Sequence, residues 1–354
     1  MKNYRSPELI FPDIFGNESI KKKLFSDITN GTLFHTIMLV GESGTGKRTF
    51  AYHIAAALAC QHRTDDEKRL PCGECAECKK ILSGNSLDVI FIDKEDRETI
   101  GVDLIRELRG DAVISSNDLD FKVYIINDFH TMTLQAQNAA LKIFEEPPKN
   151  VYFILLCENI QSVLETVISR VIRFNTKVFR ESEMRQYLLE FSEHTDKLKS
   201  DNEALLEQVI KYSRGSIGRA LTALDSKPDA YKKMLEEYKL PENIIRHIVS
   251  GIGKLQCVDI ICSLPLDRSK LSLFFSDMAL AARDIVAYKS NPHTDLSYYI
   301  SRDDVASVAS KIPLRRVFAI SELAVETRAS LFQNVNTRLL RDKFMLDLFK
   351  IFNS

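Results

Sequence analysis

The chain lacks an excess of charge of either sign: 48 Lys and Arg oppose 49 Asp and Glu, a formal net charge of −1. A protein that grips nucleic acid through bulk positive charge is thereby excluded, and any such contact must be local or shared with partners. The short clusters Lys21-Lys-Lys23 and Lys79-Lys80 read as solvated helix faces, and no interleaving of aromatic with basic residues marks a base-stacking platform. No apolar run reaches the ~20 residues needed to cross a bilayer, and Met1-Lys-Asn-Tyr-Arg-Ser-Pro7 leads into no apolar signal segment. A soluble, cytoplasmic protein without membrane contact is the expectation. Internal repeats and low-complexity segments are missing too. With 45% hydrophobic and 27% charged residues, wholesale disorder and a fibrous repeat are both excluded. The 354 residues exceed one ordinary core and suit two or three domains.

Cysteines are few and unevenly placed. Four of the seven lie between Cys60 and Cys78, while Cys157, Cys257 and Cys262 sit in apolar stretches. A secreted disulfide framework would spread pairs through a much shorter chain, so a reducing compartment is expected, with the three scattered thiols acting as buried small hydrophobes. Cys72-Gly-Glu-Cys75-Ala-Glu-Cys78 spaces three thiols by two residues, and Cys60 supplies a fourth at a helix end. Four such ligands can meet around one tetrahedral Zn(II) in a closed, noncatalytic site, and the metal would replace the apolar core that so small an insertion lacks.

The first half alternates apolar, β-branched runs with helical patterns. Strands are predicted at His35–Val40, Leu87–Asp93, Lys122–Ile126 and Val151–Cys157. Alternation of this kind implies right-handed crossovers and a buried parallel sheet, hence an α/β fold. After about Lys177 the β runs disappear, and spacings such as Met184, Tyr187, Leu188, Phe191 and Leu205, Val209, Tyr212 predict amphipathic helices. Pro228 and Pro241 interrupt this helical half, and Pro265, Pro292 and Pro313 set further breaks. The expected boundaries are an α/β domain over 1–177 with a zinc module at about 60–80, a small helical domain over 178–240 and a larger one over 241–354.

Directly after the first strand comes Gly41-Glu-Ser-Gly44-Thr-Gly46-Lys47-Arg48-Thr49, followed by the helix-forming run Ala55–Ala59. Strand, glycine-rich turn and helix N-terminus form the context of a phosphate loop: backbone N–H groups close around phosphate oxygens, and the helix dipole and Lys47 add positive potential. The pattern wants Ser or Thr after the lysine to ligate magnesium. Here Arg48 stands in that place, and Thr49 comes one residue late, about 100° around the helix. Arg48 could neutralise phosphate charge but cannot coordinate a metal.

P-loop ATPases place a magnesium-binding Asp at the end of a later strand, followed in this class by a Glu that orients the attacking water. The strand ending at Ile126 continues into Asn127-Asp128. A neutral amide replaces the carboxylate, and Asp128 is shorter than Glu; strand alternation would also keep Asp128 from taking the role of Asn127. With two magnesium ligands missing, the residues argue against hydrolysis, although ATP or ADP could be held without turnover.

The chain resembles the gamma/tau and delta-prime group of bacterial DNA polymerase III clamp-loader subunits, within the AAA+ superfamily. The likeness begins at Phe11-Pro-Asp-Ile-Phe-Gly-Asn17, similar to the family's motif near the adenine pocket, and continues through the phosphate loop and cysteine module. Asn138-Ala-Ala-Leu-Lys-Ile-Phe-Glu-Glu-Pro-Pro148 is close to the family's Asn-Ala-Leu-Leu-Lys-Thr-Leu-Glu-Glu-Pro-Pro. Ser169-Arg170-Val171 resembles the Ser-Arg-Cys motif whose arginine reaches a neighbouring subunit's ATP; Gly215-Ser-Ile-Gly-Arg-Ala-Leu221 resembles the lid, and Gln333-Asn-Val-Asn-Thr-Arg-Leu339 the collar.

Within that family the motor subunits carry a lid arginine where this chain has Gly218, Thr at Arg48, Asp-Glu at Asn127-Asp128, and a sensor threonine at Cys157. Retention of Arg170 amid these departures, and the run Ile100–Leu108, resemble delta-prime. The resemblance implies a non-hydrolysing subunit supplying Arg170 as an arginine finger in trans. It also implies a heteropentameric complex with delta and gamma/tau, a sliding clamp and primed DNA. A gamma/tau-like motor is the alternative. Asp13, Glu145 and Glu146 read as capping or solvated acids and are assigned no chemistry.

Overall fold

The computed structural model describes residues 10–63, 69–94, 99–192, 194, 198, 203–251, 254–331 and 335–353. Met1–Pro7 of the opening segment and Gln333 and Asn334 of the C-terminal motif lie outside them. The chain divides into two compact units, one comprising Met1–Asp201 with Gly215–Gly218, the other Asn202–Arg214 with Arg219–Ser354.

The first unit is built on five parallel strands: β1 (Thr36–Val40), β2 (Val89–Ile92), β3 (Lys122–Ile126), β4 (Val151–Cys157) and β5 (Ile172–Asn175), in the order β2-β3-β4-β1-β5. Its helices include α1 (Glu18–Thr29), α2 (Lys47–Ala59), α3 (Ala76–Leu82), α4 (Val102–Asp111), α5 (Leu134–Glu145), α6 (Glu165–Ile168) and α7 (Glu181–Gln186). Successive strand side chains point to opposite faces. Ile37, Leu39, Val123, Ile125, Ile154 and Leu156 accordingly join Leu24, Ile54 and Ile81 of α1, α2 and α3 in one core. Met38, Tyr124, Ile126, Phe153 and Leu155 join Ile105 and Phe144 of α4 and α5 in another. Burial on both faces explains why the central strands read as continuous apolar runs.

Four of the five strands coincide with the predicted runs, the second contracted to Val89–Ile92. The fifth carried no such signal, because it is a four-residue strand in which Phe174 is buried and the other three side chains are exposed. Two further expectations fail. Lys21 is not a solvated helix residue: it is buried, its Nζ donating to the Ile14 carbonyl at 3.3 Å and pairing with Glu18 at 2.7 Å. Cys262 is exposed, whereas Cys157 and Cys257 are buried as expected.

The second unit is helical: α8 (Glu203–Ser213), α9 (Ile217–Asp225, from Arg219 onward), α10 (Pro228–Tyr238), α11 (Leu240–Ser250), α12 (Lys254–Ser263), α13 (Arg268–Ser290), α14 (Arg302–Ala309), α15 (Leu314–Ser330) and α16 (Thr337–Asn353). Pro228 and Pro241 occupy first turns, where a missing N–H costs no helical bond. Its core gathers Ile244, Ile261, Phe275, Met278, Ile320 and Phe344. A buried carboxylate, Asp284, accepts from the backbone N–H groups of Ser297, Tyr298 and Tyr299 at 2.9, 2.7 and 3.1 Å, pinning the segment after α13. Among the described residues, no helix is long and apolar enough to cross a membrane.

Candidate functional site

The phosphate loop leaves the C-terminal edge of the sheet. Gly41 N–H donates to the Cys157 carbonyl at 3.0 Å, and Thr176 N–H to the Val40 carbonyl at 2.8 Å, so the loop starts between the ends of β4 and β5. Gly41 must be glycine on packing grounds, since a Cβ there would fall 2.0 Å from Thr176 Oγ1. Gly44 and Gly46 adopt left-handed φ values of 75° and 84°, which side chains rarely tolerate. The Thr45 hydroxyl lies 2.8 Å from the Glu42 carbonyl and 2.9 Å from Thr176 Oγ1, bracing the turn.

Lys47, the first residue of α2, is buried, and its Nζ donates to the carbonyls of Gly41 (2.7 Å) and Glu42 (2.8 Å). Glu158 Oε1 lies 3.8 Å away. Burial holds the lysine below its ordinary pKa, opposed by the charges of Glu158 and Asp128.

The residues flanking Lys47 face other partners. Arg48 carries its guanidinium 4.0 Å from the centre of the Phe91 ring on β2, a cation–π contact, and both Arg48 and Thr49 are exposed. Asn127 donates through Nδ2 to Asp93 Oδ2 at 3.3 Å. Asp128 has left the strand, with φ 46°, and its Oδ2 lies 3.8 Å from Lys94 Nζ. Strand alternation therefore does not govern Asp128; a turn residue aims its side chain by its own dihedrals. His130 Nδ1 accepts from Glu158 N–H at 3.4 Å, and burial depresses this imidazole below its usual range, so it is neutral near pH 7. Cys157, the last residue of β4, is pushed up to about 12 by burial and is an inert thiol.

Sequence reasoning passed over Asp93, His130 and Glu158. The available signal was position: Asp93 and Glu158 directly follow β2 and β4, and parallel strands end on one edge of the sheet.

The segment Gly215–Gly218 closes over the loop. Ser216 Oγ donates to the Ser43 carbonyl at 3.2 Å, and Gly218 N–H to the Gly44 carbonyl at 2.9 Å. A Cβ at position 218 would lie 2.9 Å from both Gly44 Cα and Gly44 O. Gly215 is itself pinned, with φ 73° and its carbonyl accepting from Phe179 N–H at 2.9 Å.

The cysteines converge as their spacing predicts. The sulfurs of Cys60, Cys72, Cys75 and Cys78 all lie within 4.8 Å of one another. A tetrahedron with Zn–S bonds of ~2.3 Å has edges of about 3.8 Å, so the donor set fits zinc with little adjustment. Cys60 caps the C-terminus of α2, and Cys75 caps the N-terminus of α3, accepting from Cys78 N–H at 3.5 Å. Cys72 Sγ accepts from the N–H groups of Glu74 (3.4 Å) and Cys75 (3.3 Å). Such bonds favour thiolates. Cys60, which takes a bond from the Cys78 thiol, is drawn down to about 5, and Cys78 is pushed up in exchange.

Arg170 lies in the turn after α6. Its Nε is 3.1 Å from Glu145 Oε2, its Nη2 donates to Glu145 Oε1 at 3.4 Å, and its Nη1 donates to the Thr166 carbonyl at 2.9 Å. Glu145 is thus an exposed acid that also has an ion-pair partner. Asp13 likewise has a partner, with Oδ2 3.5 Å from His53 Nε2.

A twisted parallel sheet with a glycine-rich loop leading into a helix defines the first unit as a P-loop-type α/β domain. Residues 16–179 match the family described as DNA polymerase III, delta subunit. The DNA polymerase III subunit tau of Bacillus subtilis is 39% identical over 167 residues, covering 47% of this chain and 29% of that protein. The subunit tau/gamma of Haemophilus influenzae is 30% identical over 261 residues, covering 74% of this chain and 36% of that protein. A gamma subunit-related protein from Thermotoga maritima aligns over 93% of this chain and 99% of its own, with 20% identity and a TM-score of 0.42. The chain is thus similar to DNA polymerase III gamma/tau subunits, with the matched family domain at residues 16–179. It spans less than half the length of either curated relative.

Proposed function

We propose that the chain is a delta-prime-like subunit of a DNA polymerase III clamp loader, acting in DNA replication with gamma/tau and delta subunits to place a sliding clamp on primed DNA. In this reading residues 1–177 form the AAA+ domain, 178–240 the lid and 241–354 the collar. The chain hydrolyses no ATP itself and offers Arg170 to a neighbour's nucleotide. The observation that carries the reading is the contact of Gly218 with Gly44: the place matched to the motor subunits' lid arginine is pressed on the loop backbone too closely to admit any side chain. Arg48 on Phe91 supplies no oxygen, and Asn127 on Asp93 only a neutral amide oxygen, where magnesium ligands are required.

Any ATP or ADP in the loop would meet the backbone N–H groups around Gly44 to Lys47, and Lys47 would exchange its two carbonyl partners for phosphate oxygens. Arg170 has a different task. A guanidinium is always charged and forks onto phosphate oxygens, so one presented in trans stabilises the transferring phosphoryl group, an effect of ~10³ to 10⁵ in rate. Cys60, Cys72, Cys75 and Cys78 would hold a structural zinc ion that staples α2 to α3 and adds no reaction.

A gamma/tau-like motor is the competing reading, favoured by the tau and tau/gamma relatives and by the intact Lys47. The deciding experiment is the magnesium-dependent ATPase of the purified chain and of Lys47→Ala. No turnover above background is expected; hydrolysis abolished by the substitution would establish the motor instead.

A further inference from the structure

We infer that Glu145 is the positioning residue of Arg170, the carboxylate that orients its guanidinium; the inference rests on the reading of Arg170 as a finger. Two elements grip the group. Glu145, the last residue of α5, lies beside the edge formed by Nε and Nη2 and accepts from Nη2 at 3.4 Å, and the Thr166 carbonyl of α6 accepts from Nη1. A planar fork held on two edges by acceptors from separate elements has its plane fixed, which a long side chain does not achieve unaided.

Two observations indicate that the pair orients the arginine without saturating it. Nε is buried and has no aligned hydrogen-bond acceptor despite its closeness to Oε2, and the arginine side chain remains one-third exposed, at 33%. The buried Nε is out of an outside anion's reach, so the donor capacity left for one is that of the exposed part of the guanidinium. Glu145 also sits at a helix C-terminus, where the dipole disfavours an anion, so the neighbouring guanidinium supplies its counter-charge. Glu146, one residue on, lines a shallow groove with Arg106, Arg109 and Lys142 and serves as an internal control.

The test is steady-state ATPase of the loader reconstituted from full-length chains with its ATP-hydrolysing partners. Arg170→Ala should lower kcat most. Glu145→Gln should lower kcat by about 2- to 5-fold, the scale of an ion pair this exposed, with KM unchanged. Glu145→Asp should fall between Gln and the parent, and Glu146→Gln should match the parent. In the isolated chain, Glu145→Gln should speed modification of Arg170 by phenylglyoxal.

If Arg170→Ala slows turnover while Glu145→Gln matches the parent, Glu145 has no positioning role and the finger reading survives. If Arg170→Ala also matches the parent, the finger reading fails and this inference with it. A change confined to KM would equally overturn positioning, because it would place the pair in binding.

Discussion

Replacing Gly218 with alanine tests how the phosphate loop is closed. The added Cβ would stand 2.9 Å from Gly44 Cα and from Gly44 O, against an optimum of roughly 3.5–4.0 Å for carbon contacts. Its neighbours are backbone atoms of a loop braced by Thr45 and Thr176, so relief must come from moving the 215–218 segment. That movement lengthens the Gly218 N–H to Gly44 carbonyl bond, now 2.9 Å. Two terms compete. Alanine in α9 gains up to about 1 kcal/mol of helix propensity, less at a first turn. Overpacking costs about 1–3 kcal/mol, and the strained bond adds about 0.5–1.5 kcal/mol. The clash wins, with a net loss of about 1–3 kcal/mol. Thermal denaturation of the full chain should show the transition of the first unit falling by ~2–4 °C per kcal/mol. Gly110→Ala provides the contrast: it lies in α4 with nothing within 4 Å of the place an added methyl would take, so propensity alone acts and stability should rise. A Gly218→Ala protein as stable as the parent would refute the close approach and remove the main support for a side-chain-free lid position.

Chelation with a strong zinc ligand should release one metal ion per chain and lower the melting temperature, and Cys72→Ser should do the same without chelator; an unchanged melting temperature with no bound zinc would refute a structural metal. Asp88 is buried and accepts four bonds, from Asn117 N–H (2.6 Å), Asn117 Nδ2 (3.1 Å), Asp118 N–H (2.7 Å) and Leu119 N–H (2.9 Å). Burial raises its carboxyl, but these bonds outweigh burial and hold it below the ordinary value of 3.8. The stability it contributes is therefore full above that value and lost as pH falls through the lower folded pKa. Asp88→Asn should cost about 1.5–3 kcal/mol near pH 7 and flatten the acid limb of a stability profile. Asp284→Ala strands the three N–H groups of Ser297, Tyr298 and Tyr299 and should destabilise the helical unit by about 3 kcal/mol or more, read by urea denaturation.

Much of the fold was legible along the chain because its signals are local. Apolar runs marked β1, β3 and β4, and loop chemistry marked Gly41–Lys47. The spacing of Cys72, Cys75 and Cys78 announced a thiol cluster that the structure assembles with Cys60. β5 escaped because a short strand with one buried residue has no apolar run to read. Lys21 and Cys262 were misjudged for a related reason: residue type and neighbours suggest an average environment, and burial is decided by what packs from elsewhere.

Periodicity, glycine placement and cysteine spacing thus determine the α/β class, the loop and the cluster, since each depends on residues a few positions apart. The approach of Gly218 to Gly44, the gathering of His130 and Glu158 near Lys47, the pairing of Asn127 with Asp93, and the grip of Glu145 on Arg170 come from the assembled sheet and its connections. These pairs are distant in sequence, and their geometry is set by strand order and helix packing, which no local window contains.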